Sequence, residues 1–447
     1  MRRLAFLLLF FFLLVGIGQA ASVNNPLLKV LIRKGILTEE EAIEIEKEAA
    51  QEARKQEARK QEETTKEAQE KKASLKGLQG IKLGTLTYLD YSMGEEKGVD
   101  TSAFAITRGY FNFKKQITPW MGFRLTPDIH RDSTGDIKVR IKYAYAWFKL
   151  PSLGFLRDIK SEVGQGHFPW LDFQEHVNPY RCQGTMPRER AGTFNSADLG
   201  LGVTGYFGGK LPEDYVKELA RHYPIFDHYT GKFGSWHLGL YNGGGYHAAE
   251  KNNNKPIEGR LTLRPFGAVD SYLRGLQLSY FFIRGKGNVA QNAPDYKVDL
   301  FMVSFQHPWF VVTAEYSTSK GNNSGTWVVP NTNRALKTRL YSVFGDVTLP
   351  VLEEKLHAFA RYDQFDPDTK NWLTNGQGKD NYRLYMAGLA YYFYKKNIFL
   401  VTYEKTDYQE NLAAGRWGHP YGGPDHIQIG ANPKDDYRVQ AVLQIAF

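Results

Sequence analysis

From Ile81 to Phe447 the chain runs in stretches of about ten residues in which apolar and polar side chains alternate, each stretch closed by Gly, Asn, Asp or Pro. A period of two sends successive side chains to opposite faces of an extended strand, so this part of the chain is β-structure rather than a helical bundle. "VRIKYAYAWFKLP" sets Val139, Ile141, Tyr143, Tyr145 and Trp147 against Lys138, Arg140, Lys142, Ala144 and Ala146. "WFVVTAEYSTSKG" sets Phe310, Val312, Ala314 and Tyr316 against Val311, Thr313 and Glu315. The closing "DYRVQAVLQIAF" puts Phe447, Ile445, Leu443, Ala441, Val439 and Tyr437 on one face and Arg438, Gln440 and Gln444 on the other.

Alternation also suits a soluble sandwich, so the solvent of each face must come from elsewhere. Aromatic residues make up 14% of the chain and gather near strand ends, as in "YAYAW" and "LAYYFY", where a membrane interface would place them. Some connections are short, such as "ITPW", and others long and polar, such as 166–197 and 208–235, which is the two-ended asymmetry of an outer-membrane barrel. The chain opens with Arg2 and Arg3, an apolar run from Leu4 to Ile17, and Gly18-Gln19-Ala20, which predicts a secretory signal peptide over 1–20. Cys182 is the single cysteine, so the exported protein has no intrachain disulfide.

Energetics then orient the strands. Facing lipid, Lys138, Arg140 and Lys142 would each cost up to roughly 2–4 kcal/mol near the bilayer midplane. The opposite register offers lipid only Val139, Ile141, Tyr143, Tyr145 and Trp147, and sends the cations into the lumen. An open sheet edge in lipid leaves unpaired backbone groups, so the sheet must close. The 81–447 portion accommodates about 16 antiparallel strands, with 14 or 18 left open; a barrel of this size holds a water-filled channel unless loops enter it.

Residues 21–80 read differently. "NPLLKVLIRKGILTEEEAIEIEKEAA" predicts helix, turn and helix, broken at Gly35, with Thr38 and Glu41 as a capping pair. "QEARKQEARKQEETTKEAQEKK" extends the second helix through pairs such as Glu62/Lys66 and Glu67/Lys71. It lacks a clear heptad seam, so two readings stand: a solvated periplasmic linker, or a short coiled coil that oligomerises.

The formal net charge is +9. An exported chain rarely meets nucleic acid, so anionic solutes or lipopolysaccharide are the expected partners. Lys138, Arg140 and Lys142 are candidate pore-lining residues, as are Arg260 and Arg264 in "GRLTLRP" and Arg361, beside Asp363, in "FARYDQFD". The stretch "GHFPWLDFQEHVNPYRCQGTMPRERAGTFNSADLG" is too irregular for a strand pair and carries Asp172, Glu175, His176, Arg181, Arg188, Glu189 and Arg190. Either it folds inward and sets a constriction, with Arg181, Arg188 and Arg190 lining it, or it is an external or subunit-contact loop. Asp172 and His176, four apart, are weak evidence for a metal. "PEDYVKELARHYP", 212–224, suits a short helix in an outer loop. No catalytic constellation, phosphate-binding glycine loop, dinucleotide fingerprint or zinc spacing stands out, and no enzyme activity, cofactor or metal is expected.

The terminal Phe447, with Ile445, Leu443 and Tyr437 before it, resembles the assembly signal that insertion machinery reads on outer-membrane barrels. "TRGYFNFKKQITPWMGFRLTPDI", "VGQGHFPW" and "ARYDQFDPD" together resemble the phosphate-selective porin family. That resemblance implies a trimeric, 16-stranded channel whose luminal arginines and lysines guide anions, while leaving the substrate open. The expectation is an outer-membrane porin passing small hydrophilic solutes with an anion bias. The alternative is a structural outer-membrane protein tethering membrane to wall, its barrel plugged or weakly conducting.

Overall fold

The computed structural model describes residues 23, 25–131, 134–269, 271–412 and 435–447, and for 67–78 and 130–131 the backbone alone. The expected signal peptide lies outside the described residues. The chain divides into two units, Met1–Gln79 and Gly80–Phe447.

The first unit is helical. Helix α1, Pro26–Arg33, starts where the Asn25 side chain accepts from the Leu27 amide and Pro26 presets the backbone. Helix α2, Glu39–Leu78, opens with the predicted reciprocal cap: Thr38 N donates to Glu41 at 2.8 Å, and Glu41 N to the Thr38 hydroxyl at 3.3 Å. Gly35 takes the left-handed turn between them at φ 69°. Val23, Leu28 and Ala42 form the small buried contact.

The second unit is one closed antiparallel barrel of 16 strands joined in sequence order. Its elements are β1 (Ile81–Glu96), β2 (Val99–Gln116), β3 (Met121–Arg131), β4 (Ile137–Lys149), β5 (Leu156–His167), α3 (Leu171–Glu175), α4 (Pro187–Arg190), β6 (Ala197–Phe207), α5 (Glu213–His222), β7 (Gly234–Tyr241) and β8 (Ile257–Leu263). They continue as β9 (Leu276–Lys286), β10 (Asp295–His307), β11 (Phe310–Lys320), β12 (Lys337–Leu349), β13 (Leu356–Asp366), β14 (Tyr382–Tyr394), β15 (Asn397–Tyr408) and β16 (Asp436–Ala446). Closure pairs β1 with β16, from Leu86 opposite Ala446 to Glu95 opposite Tyr437. No described helix is long and apolar enough to cross a membrane; closure satisfies the backbone strand by strand instead.

The outer face is apolar in the predicted register. On β16, Tyr437, Val439 and Phe447 are exposed while Gln440 and Gln444 are buried inside. Aromatics form two outward belts. One lies near the rim holding the chain end, with Trp120, Phe155, Tyr272, Trp309, Tyr394 and Phe447, and the other near the opposite ends of the strands, with Tyr316, Tyr341, Tyr385, Tyr403 and Tyr437. Two such belts flanking an apolar band match the two interfaces of a bilayer.

Two expectations are corrected. On β4 the alternation does not run straight through: the β3 pairing slips between Thr126 and Pro127, which face Tyr143 and Ile141, leaving Lys142 as a bulged extra residue. The bulge inverts the faces beyond it. Val139 and Ile141 point outward as expected, but Tyr143 and Tyr145 turn into the lumen, where both rings pack on His167. Trp147, paired with Gly122, packs against that inner cluster, not against lipid. The backbone carbonyls of Ile141 and Lys142 both accept from the Gln165 side chain, which substitutes for the missing ladder bonds.

The second correction concerns 208–235. Connections from even to odd strands share the rim of Phe447, and 208–233 is one of them, alongside short turns at 117–120, 308–309 and 395–396. It is the long exception on the short-turn side, not an outer loop. Helix α5 forms where a helix was expected, at the opposite end of the barrel from the one expected.

Candidate functional site

Two long segments leave the wall and fold into the lumen, beside shorter loops that set Tyr246 over Lys142 and bury Trp327. The inner loop, 168–196, starts at β5 and reaches strands on the far side of the barrel. Gln174 donates to Glu315 of β11 at 2.6 Å, Tyr180 to Asp346 of β12 at 2.6 Å, and Arg188 to Ser317 and Thr338, both at 2.7 Å. Glu404 of β15 accepts from Gln183 at 2.5 Å and from Arg190 at 2.7 Å, while its other oxygen meets Arg438 of β16 at 3.2 Å. The Arg361 guanidinium, paired with Asp363, donates to Thr185 O at 2.9 Å. Trp170, Leu171, Phe173, Val177, Tyr180 and Met186 pack into one cluster with Phe281, Leu300, Phe344, Phe359, Leu384 and Leu400 of the inner wall. This part of the inner wall is therefore dressed for protein contact, whereas a water-filled barrel carries polar residues there.

The mouth segment, 208–233, leaves and re-enters the wall at a single point, where Lys210 bridges Gly231. Its ends are adjacent, so everything between them is an excursion across the near rim. The Tyr223 hydroxyl binds Asp346, the carboxylate that also holds Tyr180, and His357 adds a third contact at 3.1 Å. Asp346 thus anchors both inward segments, from a position only 4% exposed. Replacing it with Asn would aim an amide N–H₂ at donors. The expected result is faster hydrogen exchange over both 168–196 and 208–233 with strands unaffected, read by mass spectrometry.

The inner loop faces β1–β4 across a group of cations, some buried, such as Arg108 at 8% exposed, and some open. Arg108 of β2 lies over the Tyr110 ring at 4.6 Å and the Tyr88 ring at 5.2 Å, and among the described residues it has no carboxylate within ion-pair distance. Arg124 of β3 lies over Tyr143 at 4.3 Å and bonds Asn112 at 2.8 Å. Arg140 pairs with Asp128 at 2.9 Å and is 33% exposed. Lys142 sits on the bulge, its ammonium 4.0 Å from the Tyr246 ring and in contact with Ser196. From the loop, Arg181 pairs with Glu175 at 2.9 Å and Glu189 at 3.5 Å, within electrostatic range of Arg108. The result is a cationic wall facing a loop of mixed charge.

The predicted residues separate into two groups. Lys138, Arg140 and Arg181 lie along this side, Lys138 exposed near the β3–β4 turn, whereas Lys142 is 2% exposed, buried against Ser196 and the Tyr246 ring. Arg188, Arg190, Arg260, Arg264 and Arg361 all point inward but are at most 5% exposed and serve as braces; Arg260, for example, binds Pro169 O at 3.0 Å and Ser235 at 2.9 Å. Sequence reasoning missed Arg108 and Arg124. Arg124 stands alternate to outward Phe123 in "GFRLTP", whereas Arg108 in "ITRGYF" turns inward only because the β1–β2 pairing slips at Thr107, Ile106 two residues before it pointing outward; each is a lone cation without the run of basics that drew attention to β4. Asp172 and His176 do not chelate together: His176 Nδ1 bonds the backbone oxygen of Asp172 at 2.6 Å, while the Asp172 carboxylate accepts from Tyr229 at 2.5 Å. Cys182 is buried and unpaired with any disulfide partner.

Among solved structures the barrel is similar to the anion-selective porin from Comamonas acidovorans, at TM-score 0.53, 10% identity, and coverage of 82% of this chain and 99% of that one. The fold is that of the outer-membrane porins. Salmonella typhi OmpF aligns at TM-score 0.52 and 12% identity, over 82% of this chain and 97% of that one. The outer-membrane channel DcaP of Acinetobacter baumannii aligns at 0.51 and 12%, with the same coverage. No protein-family model and no curated protein matches the sequence, so the phosphate-selective resemblance has no support beyond its motifs.

Proposed function

We propose that the protein is an outer-membrane diffusion channel for small hydrophilic solutes, with a preference for anions set by Arg108, Arg124, Arg140 and Arg181. The observation that carries this is Arg108: a luminal guanidinium, 8% exposed, held on two tyrosine faces and, among the described residues, with no carboxylate at ion-pair distance, Glu175 and Asp128 acting on it only from farther off. A solute anion is the partner that such a cation lacks, and bidentate hydrogen bonding from guanidinium suits phosphate-like oxyanions. The path follows β1–β4, and the braced arginines shape it from behind. No catalytic step is involved.

Planar-bilayer recording on refolded protein tests the proposal. In a salt gradient, steps should reverse at a potential of the sign that favours chloride, and Arg108→Gln should move that potential toward zero. Cation-favouring reversal in the unaltered protein, or no change in the variant, would reject it. Competition of chloride current by inorganic phosphate then tests the oxyanion reading.

The second reading is a barrel that barely conducts, with the helical segment in the periplasm linking membrane to wall. The apolar dressing of the inner wall favours it. Electrical silence from protein that is folded by heat-modifiability on gels would support it. We also propose a homotrimer contacting lipopolysaccharide, with Phe447, Ile445, Leu443 and Tyr437 read by the insertion machinery. Deleting Phe447 should slow assembly into the membrane and leave the conductance of inserted channels unchanged.

A further inference from the structure

Beside the Tyr229–Asp172 hydrogen bond, the inner loop and the mouth segment bring together three residues that no part of the channel reading uses. His176 follows α3 on the inner loop, and Asp227 and His228 follow α5 on the mouth segment. One ligand atom from each lies within 4.8 Å of the others, and the two imidazoles are 4.5 Å apart between centroids. We propose that these three side chains form a binding site for a divalent transition-metal ion of zinc type, which ties the two inward segments together at the near end of the barrel.

The chemistry is that of an open metal site. Two imidazoles and a carboxylate are the usual donors of a site that keeps one position for water. His176 Nδ1 donates to the Asp172 carbonyl at 2.6 Å, which fixes the ring and turns the Nε2 lone pair outward, as ligating histidines are oriented by a backbone oxygen. Burial pushes the His176 pKa down, so its ring is in the neutral form that binds metal. Burial raises the Asp227 pKa, but the His228 hydrogen bond at 2.7 Å and Lys396 at 3.2 Å outweigh it and bring the group down to about 2, so the carboxylate is ionised. Tetrahedral ligands at about 2.0–2.1 Å from zinc lie roughly 3.4 Å apart. Asp227 and His228, 46% and 55% exposed, have room to close that gap by side-chain rotation. Metal would compete with Lys396 for Asp227, and the ammonium is exposed enough to withdraw into solvent.

Only the conductance arm of the test rests on the channel reading. Zinc chloride titrated into the full-length refolded protein in detergent, followed by calorimetry, should show one saturable site per chain. The double variant His176→Gln/His228→Gln should weaken it by roughly tenfold or more, and Asp227→Asn should weaken it independently. Heat-modifiability confirms that each variant is folded. No saturable binding to the unaltered protein, or affinity in the double variant or in Asp227→Asn equal to that of the unaltered protein, overturns the site. In bilayers, micromolar zinc should lower the single-channel step of the unaltered protein and leave the double variant unchanged. A zinc effect identical in both would overturn the tie between the two segments.

Discussion

Replacing Glu404 with leucine is expected to release the inner loop from the far wall. Glu404 accepts from Gln183 and Arg190 on the loop and from Arg438 on the C-terminal strand, so its loss leaves two guanidinium groups facing each other without a carboxylate. Arg190 is wholly buried, and breaking a buried pair from one side costs about 3–5 kcal/mol because the remaining charge keeps its desolvation penalty. The loop has other anchors, at Asp346, Ser317 and Thr338, so the barrel itself should still close. Hydrogen exchange over 180–191 should rise by orders of magnitude relative to strand amides, and channel current should become noisier and larger. A pairwise swap, with Arg190→Leu added to Glu404→Leu, should recover part of the loss, since an apolar pair leaves fewer stranded charges. Exchange protection unchanged in Glu404→Leu would mean that this ion cluster does not hold the loop.

Excising 211–230 is expected to have the largest effect on conduction. Lys210 and Gly231 already bridge each other, and Lys232 N donates to Gly209 O at 2.7 Å, so a two-residue Asn-Gly turn joins the cut ends without strain on β6 or β7. The removed piece takes with it α5, the Tyr223 contact to Asp346 and the His222 contacts to Pro308 and Glu354. Single-channel conductance should increase severalfold, because access through the near rim would no longer pass this segment. Protection of the inner loop should fall only near 172–180, where it touches the excised piece. An unaltered conductance in folded, inserted protein would show that the segment does not obstruct the path.

The wall of the barrel was legible in the sequence, to a strand number near 16 and the outward face of β16. Lipid accepts one kind of side chain and backbone closure is obligatory, so the outer face obeys a rule that each strand states for itself. Two failures mark where that rule stops. The bulge at Lys142 inverted the reading of Tyr143, Tyr145 and Trp147, since a single inserted residue shifts every later side chain to the other face and leaves the alternation of types intact. The end of the barrel to which 208–233 belongs depends on the parity of every strand before it, which no local pattern reports.

The inner face follows no comparable rule. Phe281, Leu300, Phe344 and Leu400 point inward on strands whose outward residues are equally apolar, so the sequence could not distinguish a wall that meets water from one that meets protein. Arg140 and Arg190 are both inward or loop cations in the sequence; one ends half-open beside Asp128 and the other buried against Glu404, because distant segments arrive at one of them and not at the other. By itself, then, the sequence determined strand, closure and lipid face, each set by neighbours two residues apart. Only the tertiary structure decided which luminal charges remain open to a solute, because that depends on where two inward segments land after the barrel has closed.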